Sequence, residues 1–307
     1  MSVHNGQPYL AEAVESVLAQ DYGDFELLVV DDASTDDSLA VLEQFGGEDP
    51  RVRVLRAAKN MGLASALNMA LSEARGPLIA RMDADDVCRP DRFRLQVTAF
   101  DDQPGLELLG SAFFYIDEAG KPIAEGNAPL DDRALQTTLI ESGNPFCHPS
   151  VMMRTATVRA LGGYREVLNR YAQDYDLFLR LAERGTTGNL SDRLIGYRIH
   201  SRQMTVKKMR PQLQSALVYR ALARQRRNGQ LEDVVRAESE ARASRDELRD
   251  ALVSGYLFWA EMLELMGNHT QARQLRWSAI RTAPLDPKVR RLVRSQIGRA
   301  LLRASQA

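Results

Sequence analysis

The chain has 307 residues, 44% of them hydrophobic and 26% charged, with a net charge of -1 at pH 7. That length is enough for one sizeable α/β domain plus an appendage, and the near-neutral balance excludes any global signal for a nucleic-acid partner. Two cysteines, Cys88 and Cys147, are too few for a disulfide framework and fit a reducing cytosol, and no apolar run approaches the roughly 20 residues that cross a bilayer. The N-terminus has neither a basic region nor an apolar signal core, so the expected location is cytoplasmic, soluble or peripheral.

Pro8 to Ala19 carries Leu10, Ala13, Val14, Val17 and Leu18 at helical spacing, which predicts a helix close behind the first few residues. Ahead of it only Ser2, Val3 and His4 stand where a doubly wound domain has an apolar central strand. The first strand therefore reads as truncated, with Met1 at an internal point of a longer one. Phe25 to Val30 is nearly all apolar, as suits a strand covered on both faces, and it ends in Asp31, Asp32, Ala33, Ser34, Thr35 and Asp36. Ser34 or Thr35 is expected to cap a helix whose apolar positions Leu39, Val41, Leu42 and Phe45 end at Gly46 and Gly47. Val52 to Leu55 follows as a strand, Leu63 to Ala74 as a helix and Pro77 to Met82 as a strand. Such alternation predicts parallel pairing with right-handed crossovers and a ligand crevice at the carboxyl ends of the strands.

Asp31, Asp32, Asp83, Asp85 and Asp86 all fall at those ends. Asp83, Asp85 and Asp86 crowd three carboxylates into Asp83–Asp86, and their repulsion must be offset by a cation or by hydrogen-bond donors. Hard oxygen ligands suit Mg²⁺ or Mn²⁺. The other reading is a solvated acidic turn before the helix that begins near Pro90. Two acidic clusters from separate strands at one crevice favour the metal and ligand reading.

Asp174 begins a predicted helix with the apolar face Tyr175, Leu177, Phe178 and Leu181; it is either a carboxylate aimed at the crevice or one that only complements the helix dipole. His148 and His200 stand at the edges of two apolar strands, Val151 to Met153 and Leu194 to Ile199, where a histidine is either structural or part of a site. After Thr205 the pattern turns helical. Leu213, Leu217 and Leu222 mark one helix, Leu231 to Arg249 is heavily charged, and Leu252 to Met266 is apolar. The expected division is residues 1–205 as the α/β domain and residues 206–307 as an α-helical extension. Lys288 to Arg303 is basic and amphipathic, suited either to an anionic membrane surface or to a solvated helix face.

Taken in order, these segments resemble the family 2 glycosyltransferases, whose nucleotide-sugar-binding domain is the GT-A fold, over about two thirds of the chain. The matching strings are Val3 to Gly6, Ser16 to Gln20, Phe25 to Asp36, Asn60 to Asn68, Asp83 to Asp86, His148 to Met152, Gln173 to Arg180 and Tyr197 to His200. Gln173 departs mildly from the family, which often has Glu before the base. The Gly267 to Pro284 stretch is similar to the second helix of one tetratricopeptide repeat.

The resemblance implies a Rossmann-like, mainly parallel GT-A sheet and an inverting, metal-dependent transfer of a sugar from a nucleotide diphosphate sugar to a hydroxyl, in cell-envelope polysaccharide or glycolipid synthesis. It implies Asp174 as the catalytic base. Asp85 and Asp86 become ligands of Mn²⁺ or Mg²⁺, offsetting the diphosphate charge. His4, Asn5, Asp32, Asn60, Gly62, Asn68, Asp83, His148 and His200 become nucleotide-sugar-binding residues. Asp32 and His4 suit uracil or thymine best, so a UDP- or dTDP-sugar is favoured and a GDP-sugar is possible, with a glycan or lipid-linked acceptor. A reading from another class, a non-catalytic scaffold that binds partners through the helical tail, stays open on sequence grounds because of the short first strand.

Overall fold

Strand β2 (Leu27–Asp31) is buried along its whole length, as an apolar run covered on both faces must be. It pairs in parallel with the two-residue β1 (Ser2–Val3) on one side and with β3 (Val52–Arg56) on the other. In the computed structural model that gives this fold, residues 1–126, 129–165, 171–200 and 207–293 are described. Helix α1 (Leu10–Leu18) turns Leu10, Ala13, Val14 and Val17 inward, the stripe that a 3.6-residue period places on one face. Helices α2 (Ser38–Glu48) and α3 (Leu63–Glu73) follow β2 and β3.

Two local expectations change. Helix α2 starts at Ser38 with Asp37 as N-cap, because Ser34 and Thr35 are engaged elsewhere: the Ser34 hydroxyl accepts from the Asn5 N–H at 3.0 Å and the Thr35 N–H donates to Asn5 Oδ1 at 2.8 Å. The helix also continues through Gly46 and Gly47 to Glu48, past the point where the glycines were expected to end it.

The larger difference lies in the sheet. Strand β4 (Leu78–Ala80) was expected to extend the parallel set, but it pairs antiparallel with β8 (Met152–Arg154) in a second sheet. That sheet also holds β5 (Val87–Cys88), β6 (Leu106–Ile116), β7 (Pro122–Gly126) and β9 (Thr186–Arg198), in the order β4-β8-β6-β9-β5 with β7 on β6. Among the described residues only β6 and β9 pair in parallel there. The chain thus has a parallel first sheet and a mixed second one, in place of one mainly parallel sheet, because β8 inserts between β4 and β6. Thr155 fixes that insertion, its hydroxyl donating to Gly76 O at 2.7 Å and its N–H to Pro77 O at 2.9 Å. Val3, Val29 and Val52 from the first sheet share one core with Met82, Leu106, Leu109, Met152 and Ile195 around the second.

Helix α4 (Arg92–Asp102) follows the acidic turn and anchors it from below. Arg92 is fully buried, donating from Nη2 to Arg81 O at 2.8 Å and from Nε to Gln96 Oε1 at 3.0 Å. Gln96 in turn donates to Ser150 O at 2.9 Å. A buried guanidinium is tolerable when its donors are matched in this way. Helices α5 (Asp132–Glu141), α6 (Thr155–Ala160) and α7 (Gln173–Ala182) complete the mixed half.

The chain divides into two units: Met1–Ser201 with Tyr219–Val234, and Arg202–Val218 with Val235–Ala307. Helix α8 (Met209–Arg227) passes from the second to the first at Tyr219. Within the first unit, Arg226 pairs with Glu183 at 2.8 Å, Arg165 pairs with Glu232 at 2.9 Å, and Arg180 holds the buried Asp176 at 2.8 Å. These pairs brace the helix that carries Asp174. The second unit contains α9 (Val234–Ala243) from its second residue on, α10 (Arg245–Leu265) and α11 (His269–Thr282). Between α10 and α11 the chain turns at Gly267, which has φ 75, and Asn268 caps α11 by accepting from the Gln271 N–H at 3.2 Å. Val253, Ala279, Ala283 and Val289 form the hairpin core. Among the described residues no helix is long and apolar enough to cross a membrane. Most of the basic tail, from Arg294 onward, lies outside the described residues, as do residues 166–170 and 127–128 of the two loops between Gly162–Ala172 and Gly120–Asp132.

Candidate active site

At the carboxyl end of β2, Asp32 is 2% exposed and accepts from the backbone N–H groups of Met61 at 2.7 Å and Gly62 at 2.9 Å. These amides exist as free donors because Gly62, with φ 86, stands as N-cap of α3 and opens the turn. A carboxylate has about four lone-pair positions, so two remain for another donor. His4 is exposed and fixed by a 2.9 Å contact of Nδ1 with Asp32 O, which leaves its ring face open beside that carboxylate. Asn5, at φ 58, ties this first loop to Ser34 and Thr35, and Asn60 is exposed on the loop before Gly62.

The acidic run after β4 resolves into three environments. Asp83 pairs with the buried guanidinium of Arg81; burial alone would push its carboxyl above the ordinary value, and Arg81 prevails to hold it below. Asp85 keeps an open side chain, 34% exposed, and its Oδ2 stands 2.9 Å from His200 Nε2. Antiparallel pairing of Val87 with Gly196 explains that meeting, since running back along β5 and forward along β9 brings the two residues to one end. Asp86 turns inward. It is 1% exposed, its Oδ1 accepts from the Arg198 N–H at 2.7 Å, and its Oδ2 is buried without a hydrogen-bond partner. Burial, then Asp85 and Asp83, push its carboxyl well above the usual range. Of the two aspartates expected to hold a metal, Asp86 faces the core in this structure and Asp85, beside His200, is the more exposed.

Arg198 was not identified from the sequence and organises this corner. Fully buried, it donates from Nε to Asp85 O at 2.7 Å, from Nη2 to Glu12 Oε2 at 2.6 Å and from Nη1 to Glu118 O at 3.1 Å. Its guanidinium lies 4.8 Å from the centre of the Tyr9 ring, and Tyr9 also sits 5.2 Å from His200. The first loop and the Asp85–His200 pair thereby share one edge. The Asp85 carboxylate and the His200 imidazole nitrogen could together hold a divalent cation that completes its coordination with phosphate oxygens and water. Among the described residues no three His, Cys, Asp or Glu side chains gather as a metal-binding group.

On the other side, Asp174 opens α7 after Ala172, which has φ 56. It is half-buried and accepts from Asn144 Nδ2 at 3.0 Å. Burial raises its carboxyl above the ordinary value, opposed by the backbone amides of Tyr175 and of Asp174 itself, with Asp83 raising it and Arg81 lowering it further. His148 meets the Tyr164 hydroxyl at 3.0 Å, and burial followed by the Arg81 charge lowers its imidazole to about 3, so it is neutral at pH 7. Asn68 commits its amide to both sides of the Tyr164 backbone, donating to the carbonyl at 2.7 Å and accepting the N–H at 2.8 Å. Gly163, at φ 68, permits this clamp, for a Cβ there would stand 2.4 Å from Asn68 Oδ1. Asn68 thus supports the wall that Tyr164 and His148 form.

The two sheets sharing one core, with acidic turns at their strand ends, define the architecture of a GT-A glycosyltransferase. Solved structures of that fold superpose on most of the chain: Staphylococcus aureus TarS 1-349 in complex with UDP-GlcNAc (TM-score 0.61, 15% identity, 90% of each chain), and the mannosyltransferase PcManGT from Pyrobaculum calidifontis in complex with GDP-Man and Mn²⁺ (TM-score 0.58, 18% identity, 98% of this chain and 79% of that one). In sequence, the putative glycosyltransferase EpsE of Bacillus subtilis is 35% identical over 228 residues, 73% of this chain and 81% of that protein. The O-antigen biosynthesis glycosyltransferase WbnJ of Escherichia coli is 32% identical over 208 residues, 66% and 79% of the two chains. Residues 1–159 match the family described as Glycosyl transferase family 2. The chain belongs to that family and is a glycosyltransferase.

Proposed function

We propose that the protein transfers a sugar from a nucleotide diphosphate sugar to a hydroxyl of a glycan or lipid-linked acceptor, with inversion at the anomeric carbon. The observation that carries this reading is the division of labour among carboxylates: Asp85 open beside His200, and Asp174 half-buried with its carboxyl raised. A base near the reacting hydroxyl works best when it is not too acidic, and burial of Asp174 supplies that property. In a single displacement Asp174 takes the acceptor proton while the acceptor oxygen attacks from the face opposite the departing diphosphate. Asp85 and His200 would hold a divalent cation, which when bound supplies Lewis-acid stabilisation of the leaving diphosphate. Asp32 and His4 present an acceptor oxygen and a ring face to the nucleobase, with Asn5, Asn60 and Gly62 shaping the loop around it. Asp83, held by Arg81 and close enough to His148 to feel its charge, is read as a further donor-side carboxylate.

The donors named with the structural neighbours, UDP-GlcNAc and GDP-Man, and the polysaccharide roles named for WbnJ and the amylovoran glycosyltransferase AmsE of Erwinia amylovora, support a nucleotide sugar donor and an envelope polysaccharide product. The test is a panel of UDP-, dTDP- and GDP-sugars screened by thermal shift with and without Mn²⁺, followed by donor turnover and NMR of the product anomer. Stabilisation by one donor class and an inverted product are expected. A retained configuration, or Asp174→Asn turning over as fast as the unmodified protein, rejects the mechanism.

A further inference from the structure

We propose that Asn144 is a positioning residue for the Asp174 carboxylate, holding one of its oxygens so that the other is left for the reacting hydroxyl; this rests on the reading of Asp174 as the base. Asn144 sits just beyond α5, after Gly143. Its Oδ1 accepts from the Phe146 N–H at 3.0 Å, and that contact fixes which end of the amide is nitrogen. Only Nδ2 is left for Asp174 Oδ2, which it meets at 3.0 Å. The segment carrying Asn144 and the helix carrying Asp174 are locked together on both sides of this bond. Phe146, 6% exposed, packs edge-on against Phe178 of α7 at 5.5 Å, and the Tyr175 hydroxyl donates to Leu139 O of α5.

The choice of an amide follows from what a base needs. A cation beside Asp174 would favour the ionised form by about 1 to 3 pH units and weaken the base. A neutral donor orients the carboxylate and leaves more of its basicity. The other groups facing Asp174 are Asp83 and Arg81 beyond β4, Tyr164 of the neighbouring wall and Tyr219 of α8.

Two substitutions separate positioning from mere loop support. Asn144→Asp keeps an oxygen for the Phe146 N–H but loses the donor and points a second carboxylate at Asp174; Asn144→Ala loses both contacts. The readouts are the titration of Asp174 by NMR of protein labelled with ¹³C at aspartate carboxyls, assigned through Asp174→Asn, and turnover of UDP-GlcNAc and UDP-glucose with Mn²⁺. The Asp174 midpoint is expected to rise by about one pH unit in Asn144→Ala and further in Asn144→Asp. Turnover is expected to fall by about 10- to 100-fold with donor KM within twofold of the unmodified protein. An Asn144→Asp protein whose titration and kcat match the unmodified protein overturns the role of Asn144 while leaving Asp174 as base. An active Asp174→Asn protein overturns the base itself and this proposal with it.

Discussion

Asp85 Oδ2 and His200 Nε2 stand 2.9 Å apart although 115 positions of sequence separate them, because the short β5–β9 ladder delivers both to one edge. The segments just before β5 and just after β9 would each supply one residue to a cation held there. Asp85→Asn and His200→Ala are therefore both expected to abolish the Mn²⁺-dependent gain in thermal stability of the donor-bound protein. Turnover in Asp85→Asn should fall by at least about a thousandfold, since Lewis-acid stabilisation contributes several kcal/mol. Chelation with EDTA should reproduce the loss in the unmodified protein and add nothing to Asp85→Asn.

Asp86 yields the opposite expectation. Its Oδ1 holds the Arg198 N–H at 2.7 Å and its Oδ2 is buried without a partner, so an amide can replace it with the acceptor kept. Asp86→Asn should retain turnover within a few fold and be at least as stable at pH 7.5 by urea unfolding, because a costly buried carboxyl is removed. Asp86→Ala should lose about 1 to 3 kcal/mol by leaving the Arg198 N–H unsatisfied. Loss of Mn²⁺ dependence in Asp86→Asn would restore Asp86 as a metal ligand.

The contrast between Asp85 and Asp86 marks where sequence reading stopped. Local period and strand-end position made the acidic run, the helices α1, α3 and α7 and the strand β2 legible, since each depends on neighbours a few residues away. Which adjacent aspartate faces out depends on the β5–β9 register, a pairing between distant segments. The place of β4 was equally hidden, because its three residues carry no mark of an antiparallel partner at Met152–Arg154. The buried roles of Arg198, Arg92 and Arg180 were hidden for a related reason. Arginine is commonly exposed, and these are 0%, 0% and 3% exposed only because carbonyls and carboxylates from distant elements match their donors.

Arg198 should accordingly be among the most sensitive positions. Arg198→Met keeps an apolar stem and removes donors to the Asp85 and Glu118 carbonyls and to the half-exposed Glu12. A loss of about 1 to 3 kcal/mol in unfolding free energy is expected for each buried carbonyl left without a donor. Arg198→Lys should recover little, since a single ammonium cannot reach three diverging acceptors. Glu12→Gln, which keeps an acceptor at a half-exposed site, should cost less than about 1 kcal/mol.

His148 links the site to pH through stability. Its folded-state value lies at about 3 against an ordinary 6.5, burial being the main cause and Arg81 the next. The depressed value means that the unfolded chain binds a proton below pH 6.5 that the native state refuses. Stability from this residue is thus fully present above pH 6.5 and is lost as pH falls toward about 3. The slope is at most about 1.4 kcal/mol per pH unit. His148→Gln can still bond the Tyr164 hydroxyl but cannot titrate. Urea unfolding of both proteins at intervals from pH 7.5 to pH 4 should show the variant gaining on the unmodified protein as pH falls, with the carboxylates remote from His148 cancelling in the difference. Parallel pH dependences would mean that the imidazole titrates in the native state as it does in water, and that the wall of His148, Tyr164 and Asn68 is open to solvent.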